Sequence, residues 1–297
     1  MRSFRLNKVT NPHGGCTRTF SDAKVVIFFI PPNSPAAFFA IFFVIFAEST
    51  QFSPMNETTK LWQEMLRAEI VPGKREVLQR FFKTGAGEYG EGDIFLGITV
   101  PSVRKVSRLM SEVPFESIAE MLASGIHEHR LSALLVLVEQ FRRARRNPET
   151  RRAIVDFYLA HTSAVNNWDL VDLSAPKILG EFVSSTAEVS LLHRLSNSTD
   201  LWEQRIAIVA TWTLLRDGEP RPTLEISARY LTHTHDLIHK ATGWMLREMG
   251  KRVDQRLLTD FLDINAPKMP RTMLRYAIEK LPAPLRHHYL TIPRQSI

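Results

Sequence analysis

The sequence predicts an all-α protein, a solenoid of stacked helix pairs behind an unrelated apolar head. Three observations carry this. From about Thr58 to about Pro282 the apolar residues recur at helical spacing. Leu131, Leu134, Leu135 and Val138 form an i, i+3, i+4, i+7 set, and Ile206, Val209, Ala210 and Thr213 share it, ending on a polar residue. Proline and glycine punctuate at short intervals, at Pro72-Gly73, Pro101, Pro114, Pro148, Pro176, Gly218 to Pro222 and Pro267. No stretch of the body alternates as a strand does.

The head comes first. It holds ten of the 18 phenylalanines and the only cysteine, Cys16. Its five Lys/Arg and two Asp/Glu give it +3 of the net +7, which leaves +4 for residues 55–297. One cysteine excludes an internal disulfide framework and a Cys-rich zinc site. Val25–Ile30 and Ala36–Ala47 are apolar, but Pro31, Pro32 and Pro35 interrupt them, and a spanning helix needs about 20 continuous apolar residues. Three readings compete: a secretion or anchoring segment, a buried amphipathic addition, or a segment outside the working protein, with translation starting at Met55. The third is favoured, because a globular pattern begins near Met55 and nothing in the head resembles it. Residues 1–54 are thus expected to be a disordered or dispensable extension, and 55–297 a single repeat domain. Membrane association through 25–47 is the disfavoured alternative to a cytoplasmic protein.

In the body, Pro101, Pro114 and Pro148 each open an expected helix, where a missing N–H costs nothing. Gly85–Gly92 lacks the Gly-Lys-Ser/Thr of a phosphate loop and follows no strand, so it is expected to link two helices. His127–Leu137, Trp202–Trp212 and Leu237–Arg247 superimpose, with Arg130, Arg205 and Lys240 in one column. Arg130 and Arg205 are two periods of about 37 residues apart, with Trp168 near the midpoint, and Lys240 follows after about 35. Helix-pair repeats of this length characterise HEAT-type solenoids, so the expected architecture is a right-handed superhelical solenoid of HEAT-like repeats. Equivalent positions project from one face. Arg130, Trp168, Arg205, Lys240 and Trp244 are therefore expected to form a basic and aromatic stripe suited to a nucleic-acid backbone, as the pI near 9.7 also suggests.

The densest motif is Asn166–Pro176. Trp168 and Asp172 are i, i+4 and share a helix face, with Asp169 turned about 100° away. By pattern alone Trp168 reads as core and Asp172 as a cap or ion-pair partner. His235 and His239 have the spacing of a helical zinc site, but no third ligand is evident, so no metal is expected. His127 and His129 read as polar helix-start residues. Arg142, Arg143, Arg145, Arg146, Arg151 and Arg152 read as a solvated helix-end patch or a sequence-independent phosphate contact. Met269–Tyr276 reads as a C-terminal capping helix from which Arg271 could reach DNA.

Four blocks in order resemble the DNA alkylation repair family of HEAT-like glycosylases, over roughly Leu61 to Leu281. They are Phe95-Leu96-Gly97-Ile98 with Pro101 and Arg104; Trp168-Asp169-Leu170-Val171-Asp172; Leu201–Arg205 with Ala207 and Ile208; and Lys240–Glu248. The resemblance implies that Asp172 is the catalytic carboxylate and that Trp168 and Trp244 contact the damaged nucleotide. It implies that Arg205 binds backbone near the lesion, with Arg130, Lys240, Arg247 and Arg271 as further DNA-binding candidates. The family's characterised enzyme has a second aromatic where this chain has Asn167, a difference that bears on the shape of the lesion pocket. The implied activity is excision of cationic N3- or N7-alkylpurines from duplex DNA without flipping, the first step of base excision repair. It calls for no cofactor and no obligatory protein partner, and the expected state is a monomer. The alternative is a non-catalytic scaffold that binds DNA or a protein. Asp172 argues for the enzyme, since a carboxylate facing phosphate weakens simple binding.

Overall fold

A computed structural model describes residues 7–10, 16–19 and 55–294. The chain divides into two units, Met1–Pro54 and Met55–Ile297. The described residues of the first unit are an antiparallel pair of strands, β1 (Asn7–Thr10) and β2 (Cys16–Thr19), an addition to the reading from sequence. The apolar run at 25–47 lies outside the described residues. No helix among the described residues is long and apolar enough to cross a membrane.

The described residues of the second unit form helices and connecting loops that build a two-layered stack. It opens with α1 (Glu57–Arg67) and α2 (Lys74–Phe81). The pairs that follow are α3 (Val100–Leu109) with α4 (Phe115–Leu122), and α5 (His127–Arg143) with α6 (Pro148–Ala160). Next come α7 (Trp168–Ser174), α8 (Glu181–Thr186) and α9 (Ser190–Ser196), then α10 (Leu201–Arg216) with α11 (Arg221–Arg229). The stack closes with α12 (Asp236–Arg252), α13 (Gln255–Asn265), α14 (Arg271–Ala277) and α15 (Ala283–Thr291). A π-helical turn at Pro176–Gly180 joins α7 to α8, because Pro176 has no N–H to offer the regular ladder. Helices α3, α5, α7, α10, α12 and α14 pack side by side as one layer, and α4, α6, α9, α11 and α13 flank it. The architecture is the helical repeat solenoid that the spacing predicts.

The layers explain the sequence pattern. The inner helices α5 and α10 are covered on almost every side, and Arg205–Thr211 is buried without a break. Their apolar residues therefore run nearly continuously. The starts are set by side chains that bond otherwise orphaned N–H groups. Asn56, Asn147 and Asp200 cap α1, α6 and α10. Pro101 and Pro148 stand in the first turns of α3 and α6, and Pro114 is the residue before α4.

Close approach fixes one further position. A Cβ on Gly243 would lie 2.4 Å from the Met273 carbonyl and 2.6 Å from Tyr276 Cβ. Only glycine lets α12 and α14 meet there. That contact sets where the next residue, Trp244, projects.

Candidate active site

Helix α7 is short and is held at both ends. Asn167 has extended backbone, and its Oδ1 accepts from Trp168 N at 2.8 Å. Asn167 is fully buried, and its Nδ2 donates to Asp93 Oδ2 at 3.1 Å. Asn167 is thus a structural cap and is not among the residues that line the cleft described next.

Trp168 and Asp172 project from α7 into an open cleft of about 860 Å³. Arg205, Lys240, Trp244 and Arg247 line the same cleft, with His235 and Asp236 at its edge and Tyr276 from α14. Six residues singled out in the sequence are therefore brought together. Arg130 and Arg271 are not among the lining residues.

Asp172 is bonded from one side by Arg205. Both of its oxygens accept from Arg205, from Nε at 3.1 Å and from Nη2 at 2.9 Å. Arg205 Nη1 donates to the Leu237 carbonyl at 2.7 Å, which ties α10 to α12. Arg205 is thereby buried and paired with Asp172, whereas the resemblance sets it against the DNA backbone. Asp172 keeps 22% of its side-chain surface open to the cleft. Burial pushes its pKa above the ordinary aspartate value of 3.8, the Arg205 guanidinium counters this, and Asp169 adds to it.

The expected stripe needs a correction at Arg130. It holds its place in the repeat, but its side chain is 5% exposed. The guanidinium pairs with buried Asp93 and donates to the Ser124 carbonyl at 2.8 Å. In the cleft, Lys240 pairs with Asp236 at 2.7 Å and Arg247 with Glu279. Elsewhere, Arg104 on α3 stands near Lys177 on the π turn, and burial together with this like charge lowers the lysine pKa. The arginine run at 142–152 is largely spoken for. Arg142 and Arg143 pair with Glu139, Arg152 with Glu188, and Arg151 lies over the Phe141 ring.

The histidine expectations also change. His127 and His129 do stand in the first turn of α5, but they are buried there and not solvated. His127 Nδ1 lies 2.9 Å from Asp93 Oδ2, and its Nε2 lies 2.9 Å from Asp169 Oδ2. Burial disfavours its charge, but the bonds to Asp169 and Asp93 prevail and push it up to about 9. Two residues on, burial with Arg67 and Arg130 nearby pushes His129 down to about 4. His235 caps α12 through Nδ1, and His239 Nε2 bonds the His233 carbonyl. Among the described residues no group of three or more His, Cys, Asp or Glu could hold a metal ion.

Sequence reasoning missed the aromatic wall behind Trp168. The segment Gly85–Gly92 does link α2 to α3, yet Gly87, Glu88 and Tyr89 line the cleft. Trp168 Nε1 donates to the Tyr89 hydroxyl at 3.2 Å. Phe81, at 61% exposure, meets Trp168 edge-on at 5.8 Å. Behind Trp168 the rings of Phe82, Phe95 and His127 stack in turn, at 5.3, 5.0 and 4.4 Å. The Phe95–Ile98 block holds this column in place. Glu128 accepts from the N–H groups of Leu96, Gly97 and Ile98, with Gly97 at φ +93°. The local signal is the pair Phe81-Phe82, two residues ahead of a glycine-rich loop, which periodicity alone does not place.

The profile of a family described as DNA alkylation repair enzyme matches residues 62–281. The fold is similar to that of a predicted DNA alkylation repair enzyme from Enterococcus faecalis. The TM-score is 0.57 at 16% sequence identity, covering 72% of this chain and 98% of that chain. A comparison with curated proteins gives no match.

Proposed function

The chain belongs to the DNA alkylation repair enzyme family, and from that premise we propose that it is a DNA glycosylase acting on cationic N3- or N7-alkylated purines in duplex DNA. The observation that carries this reading is the pairing of Asp172 with Arg205 in a cleft walled by Trp168 and Trp244.

The chemistry follows from the substrate. Alkylation at N3 or N7 makes the purine a cation, so the bond from C1′ to the base nitrogen is already weak. The base departs with the bonding electrons as a neutral molecule, and no general acid is needed. Other glycosidases need a second carboxyl to protonate the leaving group. Here one suffices. Asp172 faces the positive charge that grows on the sugar and orients a water toward C1′. The water oxygen forms the new bond to C1′, and its proton passes to Asp172 or to solvent, leaving an abasic site.

Arg205 holds both carboxylate oxygens, so the anion is aimed before substrate arrives. Trp168 and Trp244 offer π faces to a cationic base, each worth about 0.5–2 kcal/mol. Phe82 and the Tyr89 hydroxyl fix the orientation of Trp168. Lys240 and Arg247 are proposed to exchange Asp236 and Glu279 for phosphate oxygens when DNA binds. Arg271, at the start of α14, is proposed only as an outlying backbone contact.

The test is incubation of the full chain with duplex DNA carrying N7-methylguanine, with alkali to reveal abasic sites. Excision is expected. DNA binding without excision of any N3- or N7-alkylpurine would leave a non-catalytic scaffold.

A further inference from the structure

Behind the cleft, four charged groups are linked in a row. Arg130 bonds Asp93, Asp93 bonds His127 Nδ1, and His127 Nε2 bonds Asp169 on the first turn of α7. Both partners of the imidazole are carboxylates, and a carboxylate only accepts, so each ring nitrogen must carry a proton. The row then holds two cations and two anions and is neutral. Asp169 Oδ1 is buried with no hydrogen-bond partner among the described residues, so His127 is its hydrogen-bonding anchor there. The same ring ends the stacked column His127–Phe95–Phe82–Trp168.

We propose that His127, as a buried imidazolium, is a positioning residue of the site: it pins Asp169 and the base of the Trp168 stack, and so fixes α7 and shields Asp172 from the charge of Asp169. This rests on the reading of Asp172 as the working carboxylate.

The groups that face each partner are few. His127 is faced by Asp93 from the segment before α3, by Asp169 on α7 and by Arg130 on its own helix. Asp172 is faced by Arg205 on α10 and Asp169 on α7. Across the cleft stand His235, Asp236, Lys240 and Arg247, with Lys83, Glu88 and Tyr89 on the linking loop and Tyr276 on α14. Of these, Asp169 is the one carboxylate whose charge reaches Asp172 through the same helix turn. Cancelling the charge of Asp169 is what His127 does for the site.

Two substitutions separate this from a merely structural role, because they push Asp172 in opposite directions. His127→Gln removes the cation and leaves Asp169 uncompensated, so the Asp172 midpoint rises. Asp169→Asn removes the like charge, so the midpoint falls. Each shift is expected to be on the order of one pH unit. Carbon-13 titration of the Asp172 carboxyl in the full chain reads this without any substrate. Nitrogen-15 shifts of His127 at neutral pH report whether both ring nitrogens are protonated.

In the excision assay the acid limb of the rate profile is expected to move with the midpoint, up for His127→Gln and down for Asp169→Asn. The His127→Gln rate at neutral pH is expected to fall about tenfold or more, because α7 loses its anchor. If His127→Gln does not fold, the Asp169→Asn shift and the wild-type imidazole spectrum still decide. A neutral His127 at pH 7, or shifts of the same sign in both variants, overturns the proposal. A protein that excises nothing while Asp172 titrates as described removes the glycosylase reading and supports this inference about the carboxylate.

Discussion

Arg130 on α5 and Arg205 on α10 occupy the same place in their repeats, and each pairs with an aspartate about one repeat earlier in the chain, 37 and 33 residues back. Their outcomes are opposite. Asp93 is 4% exposed and accepts from His127 and Asn167 as well as Arg130. Burial works against its charge, but those bonds and the Arg130 field outweigh it and hold Asp93 below the ordinary aspartate value. Asp172 is 22% exposed, has Arg205 as its one hydrogen-bonding partner among the described residues, and its pKa is raised by burial. The same ion pair is a closed structural joint in one repeat and an open, under-satisfied carboxylate in the other. Whether second donors roof the carboxylate over separates the two.

Substitution can break this contrast from either side. The largest expected effect is on catalysis. Asp172→Asn should cost about 10²–10³-fold in excision, the scale of removing one preorganised electrostatic group, with DNA binding retained. Asp93→Asn should do the reverse. It leaves Arg130 and His127 buried without their anion, and should cost about 3–5 kcal/mol of stability, read as urea midpoint. Equal losses of stability in the two variants would erase the distinction.

Gly243→Ala comes next. It forces a methyl into the Met273 carbonyl and should cost about 1–3 kcal/mol, while displacing Trp244 and lowering excision more than it lowers DNA affinity. Smallest is Lys240→Ala, expected to weaken DNA binding uniformly across sequences and to reduce the salt slope by about one. An unchanged slope would take Lys240 off the phosphate path.

The pH dependence of stability sharpens the same comparison. His127 is raised from 6.5 to about 9 on folding. Its contribution is therefore complete below pH 6.5 and is lost as pH rises through about 9. Asp93 is lowered, so its contribution is present above 3.8 and lost as pH falls through its lower folded value. Thermal melts from pH 6 to 10 should show a decline toward the alkaline end that His127→Gln flattens.

Much of the solenoid was legible in the sequence, because a 3.6-residue period and a repeat spacing are local properties. The column of Arg130, Arg205 and Lys240 also holds its register in the helices. What the sequence could not give was the fate of each side chain. Asp93 lies 37 residues from Arg130 and 74 from Asn167, one and two repeats away, but a repeat period gives register and not which side chains bond across it. The HEHR segment reads as polar because two of its charges, Glu128 and Arg130, are unusual in a core. They are buried there because backbone N–H groups and Asp93 satisfy them. The cleft wall at Phe81 and Tyr89 was hidden for another reason: a glycine-rich loop has no period to read. The +4 of the body likewise did not become a free basic stripe, since Arg130 and Arg205 are neutralised where they stand.

On the proposed function, Asp172, and not Asp93, is the aspartate at work. Single-turnover excision of N7-methylguanine from duplex DNA by the full chain tests it most directly, with the wild type, Asp172→Asn and Asp93→Asn compared at a temperature where all three remain folded. Rapid release is expected from the wild type, near-complete loss in Asp172→Asn, and activity in Asp93→Asn reduced far less than its stability. Full activity in Asp172→Asn, or no release by the wild type, would contradict that assignment.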